Sequence, residues 1–132
     1  MTGNISYAYL PAGNLSAVTS LAGTVAYSYD EAERLTNITA SSALASYRFA
    51  LAYSQTNGLL DTMTCTNTGL SVAYEFDNMD RLTNIVWRNG TSNLVRRFTY
   101  SYNSSSMITN RVMTDDGGGR EKPPTPWTNL ID

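Results

Sequence analysis

The chain is 132 residues long, one modest domain by length, and sets 9 basic against 11 acidic side chains for a net charge of −2. That balance excludes a basic, phosphate-gripping surface, so nucleic acid is not an expected partner. At 42 % hydrophobic and 15 % charged residues the chain is not disordered through charge excess; having no histidine excludes histidine triads and metal sites, and the lone Cys65 excludes an internal disulfide or a cysteine zinc cluster.

Residues 1–20 contain no Lys or Arg and no long apolar run, so no secretory signal is expected. Apolar runs elsewhere are only a few residues long, so no membrane insertion is expected either. The first patterned stretch is Ile5-Ser-Tyr7-Ala-Tyr9, which leads to Gly13-Asn14-Leu15 and Val18. The second is Val25-Ala-Tyr27-Ser-Tyr29-Asp30, continuing through Arg34-Leu35-Thr36-Asn37-Ile38. Phe49-Ala-Leu51-Ala-Tyr53 then leads to Gly58-Leu59. Val72-Ala-Tyr74-Glu-Phe76-Asp77, continuing through Arg81-Leu82-Thr83-Asn84-Ile85, repeats the second stretch with nine of fourteen positions identical. Phe98-Thr-Tyr100-Ser-Tyr102-Asn103 leads to Ile108 and Val112. From residue 115 the pattern stops: three of the four prolines and Gly117-Gly-Gly119 lie there, which predicts a Gly/Pro-rich flexible tail over 115–132 behind a repeat region over 1–114. Trp127, Leu130 and Ile131 give that tail a few apolar contacts to offer.

Internal repetition governs the fold reading. Tyr9, Tyr29, Tyr53, Phe76 and Tyr102 anchor five units spaced 20, 24, 23 and 26 residues apart, and an aliphatic residue follows each by six: Leu15, Leu35, Leu59, Leu82 and Ile108. Before each anchor, apolar and small residues alternate with period two, the mark of a half-buried strand. Asp30, Ser54, Asp77 and Asn103 follow their anchors directly, and such side chains open turns by bonding the backbone two residues on. Gly13 and Gly58 sit near the ends of their turns, where a left-handed backbone is needed. Each unit therefore reads as a β-hairpin with a loop of about four or five residues. The stretch 31–35 is too short to stand as a helix. Leu35 and Ile38 are three apart, so on a regular strand they face opposite sides; a bulge realigns them, or both faces are partly covered.

Few residues suggest chemistry. The register-matched aromatics predict mutual packing between neighbouring units, with a carbohydrate-stacking surface as the alternative. Asp30 with Arg34 and Asp77 with Arg81 predict ion pairs across the turns. The acidic groups Asp30, Glu31, Glu33 and Glu75, Asp77, Asp80 sit on repeated tips and lack the spacing of a calcium loop. Cys65 lies on an expected strand, where it reads as a buried, inert thiol. Five Asn-x-Ser/Thr triplets, at Asn4, Asn14, Asn37, Asn89 and Asn103, follow from a chain rich in those residues. No catalytic residue, cofactor site or metal site is expected, and the chain is not read as an enzyme.

The Tyr-x-Tyr-Asp-x-x-x-Arg-Leu-Thr element at 27–36, echoed at 74–83, resembles the YD repeat of the RHS (rearrangement hotspot) family. Tyr29, Asp30, Arg34 and Leu35 match that motif, as do Asp77, Arg81 and Leu82 with Phe76 in the tyrosine's place. Glu33 and Asp80 replace its glycine, which Gly13 retains in the first unit beside Asn14. The motif residues singled out are Tyr27, Tyr29, Asp30, Arg34, Leu35, Tyr53, Leu59, Tyr74, Phe76, Asp77, Arg81, Leu82, Tyr100 and Tyr102. The resemblance implies an all-β fold of tandem hairpins in a curved, open antiparallel sheet, a partial shell. In longer members such a sheet closes around toxin or other cargo, and teneurin-like surface proteins carry a related shell. A secreted or cell-surface setting is implied by the resemblance alone. The chain lacks the Asp-Pro-x-Gly segment that closes the family's core region, so enclosure, self-cleavage and an effector domain are not carried over. The expected role is a structural repeat scaffold, with a carbohydrate- or protein-binding repeat module as the alternative. Two open edge strands predict association with further repeats, with itself or with a larger shell protein.

Overall fold

The computed structural model describes residues 3–42 and 45–115. Among these there is no helix. Ten strands form one open antiparallel meander in sequence order: β1 (Ser6–Tyr9), β2 (Leu15–Ser20), β3 (Gly23–Tyr29), β4 (Leu35–Ser41), β5 (Ser46–Tyr53), β6 (Leu60–Cys65), β7 (Ser71–Phe76), β8 (Leu82–Arg88), β9 (Leu94–Tyr102) and β10 (Ile108–Asp115). Consecutive pairs β1–β2, β3–β4, β5–β6, β7–β8 and β9–β10 are hairpins 1 to 5, so each sequence unit is one hairpin. The tail beyond Asp115, with Trp127, Leu130 and Ile131, lies outside the described residues.

The period-two pattern sorts side chains as expected. Tyr27 faces Ile38 and Tyr29 faces Leu35 across hairpin 2, while Ala26 faces Thr39 and Ser28 faces Asn37 on the other side. One face of the sheet is thus aromatic and aliphatic, and the other is largely Ala, Ser, Thr and Asn. With one layer and no second sheet, few side chains are fully enclosed: Val72 and Val86 are 1 % exposed and Cys65 8 %. Most strand residues are half-buried, covered by their lateral neighbours rather than by an opposing layer.

A bulge beside each anchor resolves the three-residue spacing. Tyr27 pairs with Ile38 and Ser28 with Asn37, but Tyr29 pairs with Leu35, leaving Thr36 as the extra residue. Leu35 and Ile38 therefore share a face. The same slip occurs in every hairpin, at Tyr9/Leu15, Phe76/Leu82 and Tyr102/Ile108. Thr36 fills the break by donating its hydroxyl to the Ser28 carbonyl at 3.1 Å, and Thr83 does the same toward Glu75 at 3.0 Å. That is the local work of the threonine in Arg-Leu-Thr.

Hairpin 3 departs from the six-residue rule. Tyr53 pairs with Leu60, not with the expected Leu59. Its turn holds one residue more than the others, and the Leu59 carbonyl instead accepts from the Ser54 amide at 2.8 Å, the place held elsewhere by Arg34 and Arg81. Leu59 thus occupies the arginine position, and Leu60 the aliphatic one.

Candidate functional site at the hairpin junctions

The turns are built by the residue after the anchor. Asp30 Oδ1 accepts from the amides of Ala32 and Arg34, both at 2.9 Å, and its Oδ2 accepts from Arg34 Nε at 2.8 Å. Asp77 does the same with Met79, Arg81 and Arg81 Nε at 2.9, 3.0 and 2.7 Å. Asn103 copies the amide half of this arrangement with Ser105 and Met107, both at 3.0 Å. The residue before the arginine position turns left-handed in every hairpin: Gly13, Glu33, Gly58, Asp80 and Ser106 all have φ between 58° and 95°. The amide bond from Arg34, with its guanidinium and the Ala32 amide, holds the Asp30 carboxyl below the usual range. Partial burial pushes Asp77 up, but its bonds to Arg81 and Met79 outweigh this, so its pKa too is lowered. Both carboxylates are structural anions that fix an arginine.

The arginine so fixed reaches forward into the next hairpin. Arg34 lies 4.6 Å from the centroid of the Tyr53 ring and donates to the Gly58 carbonyl at 3.3 Å. Arg81 lies 4.8 Å from that of Tyr102 and donates to the Asn103 carbonyl and the Ser106 hydroxyl, both at 3.3 Å. The anchor tyrosine reaches backward. Tyr29 donates its hydroxyl to the Leu15 carbonyl at 2.8 Å, Tyr53 to Leu35 at 2.8 Å and Tyr102 to Leu82 at 2.6 Å. These bonds cross a gap: where hairpins adjoin, the ladder stops short of the anchors, at Asn37/Ala50 between β4 and β5 and at Asn84/Thr99 between β8 and β9. An Arg-Leu pair in one hairpin therefore clamps the anchor of the next, ring by cation and hydroxyl by carbonyl.

The motif residues thus divide by role. Tyr29, Tyr53 and Tyr102, with Arg34, Leu35, Arg81 and Leu82, meet at the junctions, and Asp30 and Asp77 hold the arginines. Tyr27, Tyr74 and Tyr100 lie two pairs further along their hairpins, opposite Ile38, Ile85 and Arg111, and are half-buried. Phe76 faces Leu82 and has no hydroxyl to send back to Leu60. Sequence reasoning paired each aspartate with its arginine but missed the arginine's second contact; the signal was available, because Arg34 and Arg81 each precede a unit whose anchor is tyrosine, whereas Leu59 precedes Phe76. Cys65 is buried at the end of β6, and the Thr68 hydroxyl bonded to it lowers its pKa against the opposing effect of burial. Among the described residues no cluster of three or more His, Cys, Asp or Glu is placed to hold a metal ion.

Residues 9–43 match the family model of the RHS repeat. In fold, the chain is similar to a chain of the crystal structure of TcdB2-TccC3-Cdc42, with a TM-score of 0.73 and 16 % sequence identity. The match covers 84 % of this chain and 5 % of that one, so this chain spans a small fraction of its solved neighbour. No curated protein matches it in sequence. The matched stretch runs from Tyr9, at the end of β1, through β2, β3 and β4, and the open ten-stranded sheet is similar in fold to a segment of that much longer chain.

Proposed function

We propose that this chain is a structural wall segment, a run of hairpins whose role is to be continued sideways into a larger RHS/YD-type shell rather than to catalyse a reaction. The observation that carries the reading is the two-way clamp. Side chains that elsewhere would serve a ligand are committed here to the neighbouring hairpin: Arg34 to Tyr53, Tyr53 to Leu35, Arg81 to Tyr102 and Tyr102 to Leu82. The outer strands support continuation. β1 is exposed throughout and β10 nearly so, and open strand edges pair with further strands. In a longer assembly the aromatic face would be the natural inner lining around cargo.

The carbohydrate-stacking alternative has less support. Tyr29 and Tyr53 are half-buried with both hydroxyls engaged, and the Arg34 guanidinium covers the Tyr53 ring. Sedimentation velocity with light scattering across a wide concentration range tests the wall reading. Concentration-dependent association that charged substitutions on β1 or β10 abolish is expected; a clean monomer at high concentration counts against it.

A further inference from the structure

We propose that the outer edge of β1 is a docking site for a hairpin tip carrying Asp-x-x-x-Arg followed by an aliphatic residue, with Tyr9 as its receptor. The inference rests on the wall reading and adds which neighbour each edge accepts. Tyr9 stands opposite Leu15 across a bulge, as Tyr29 stands opposite Leu35 and Tyr102 opposite Ile108. Tyr53 and Tyr102 hold an arginine against the ring and a leucine carbonyl at the hydroxyl, both from the preceding hairpin. Tyr9 has the same ring and hydroxyl, is 63 % exposed, and sits on a strand that among the described residues pairs only with β2.

The four internal junctions set the rule for what fits. The residue before the aliphatic position matches the next anchor in polarity: Asn14 precedes the hairpin of Tyr29, Arg34 that of Tyr53, Leu59 that of Phe76 and Arg81 that of Tyr102. A polar residue thus precedes each tyrosine-anchored hairpin and an apolar one the phenylalanine-anchored hairpin, and at the two arginine junctions the polar residue lies over the ring. By this rule Tyr9 takes a polar residue, and arginine satisfies both its ring and its neighbouring carbonyls. The chain's own far edge does not supply one. Hairpin 5 presents Met107 and Ile108 at the corresponding positions, 55 % and 51 % exposed, with Asn103 in the aspartate's place. The meander alternates direction, so a β10 laid against β1 of a second copy is antiparallel, as at every internal junction. The geometry permits a second copy, but its side chains are mismatched. The favoured occupant is a hairpin from another repeat segment that ends in Asp-x-x-x-Arg-Leu.

The double variant Asn103→Asp, Met107→Arg gives the full chain its own matching edge. Sedimentation equilibrium should show head-to-tail self-association about fivefold tighter than in the parent, the increment expected of one exposed cation–π contact. Adding Tyr9→Leu should return it to the parent value or below, and Tyr9→Phe, which keeps the ring, should retain part of the gain. Circular dichroism melts of each variant confirm that the fold is kept. Unchanged association in the double variant, or a gain that survives Tyr9→Leu, overturns the proposal. The parent's own behaviour bears separately on the wall reading: a monomeric parent counts against that reading, while a double variant that associates through Tyr9 still supports the docking rule.

Discussion

The junction between hairpins 2 and 3 and the junction between hairpins 3 and 4 are built from the same strands and turns, yet are held by different forces. At the first, five residue pairs form the ladder between β4 and β5, and the Arg34-Leu35 clamp grips Tyr53 beyond its end. At the second, three pairs join β6 to β7, Phe76 has no hydroxyl, and Leu59 stands where an arginine would. This bare junction relies on apolar burial instead: Val72 and Cys65, two of the three buried apolar side chains among the described residues, flank it. One polar link remains at its tip, where Asn57 donates to Asp80 at 2.8 Å. A repeat array is stable only as far as each neighbour interface holds, so a missing polar clamp must be offset locally by packing. Between hairpins 4 and 5 the clamp returns with Arg81 and Tyr102, again beside a five-pair ladder.

The largest expected effect tests the packed side of this contrast. Val72→Ala should destabilise the protein by about 2 kcal/mol in urea unfolding, the usual scale for emptying a fully buried valine site. Val25→Ala, at a half-buried position opposite Val18 and Ala40, should cost clearly less. Equal costs would mean that the bare junction does not depend on its buried valine.

Next come the hydroxyl bonds. Tyr53→Phe and Tyr102→Phe should each lose about 1 kcal/mol, the net worth of a typical intramolecular hydrogen bond. Phe76→Tyr should gain about 0.5 kcal/mol by supplying the bond toward Leu60 that the bare junction lacks. If Phe76→Tyr destabilises, the longer turn of hairpin 3 has moved that carbonyl out of reach, and the bare junction differs in geometry as well as in side chains.

A smaller effect follows pH. Asp30 and Asp77 have lowered pKa values in the fold, so the folded chain binds fewer protons than the unfolded one around their ordinary value of 3.8. Their contribution is complete above that value and is lost as pH falls through the lowered pKa of each. Thermal melts from pH 6 to pH 2 should fall most steeply below pH 4, and Asp30→Asn with Asp77→Asn should flatten that fall. Salt should have little influence on the amide bonds and more on the guanidinium contacts.

Much of this architecture was legible from period and spacing. Alternation fixed the strands and faces, and repetition fixed the hairpins. The spacing of Leu35 and Ile38 demanded either a bulge or two covered faces, and Thr36 shows that it is a bulge. Counting forward from the anchor places Leu59 opposite Tyr53, where the fold puts Leu60, because two adjacent leucines both satisfy the pattern. Counting back from the left-handed position gives the correct alignment: Gly58-Leu59-Leu60 falls under Gly13-Asn14-Leu15 and Glu33-Arg34-Leu35. Backbone conformation at the turn limits register more tightly than side-chain size at the strand. The forward reach of the arginines was hidden for another reason. It joins residues 19 and 21 positions apart, beyond the single unit in which the motif is recognised.

The smallest effect distinguishes the two junctions through their turns. Glu33 and Asp80 both hold φ near 60°, a conformation that costs a residue bearing Cβ, and glycine at either place should relieve it. Glu33→Gly removes that strain and touches no side-chain bond on which a junction rests, so a gain of about 0.5 kcal/mol is expected after the added freedom of the unfolded glycine is offset. Asp80→Gly relieves the same strain but also deletes the carboxylate that accepts from Asn57 across the bare junction. Its net effect should lie near zero or slightly negative, and in an Asn57→Ala background, where the bond is already gone, the same substitution should become stabilising. Urea unfolding of these four chains therefore reads the worth of that single polar link directly. If Asp80→Gly stabilises equally with and without Asn57, the bond contributes nothing and the bare junction stands on Val72 and Cys65 alone.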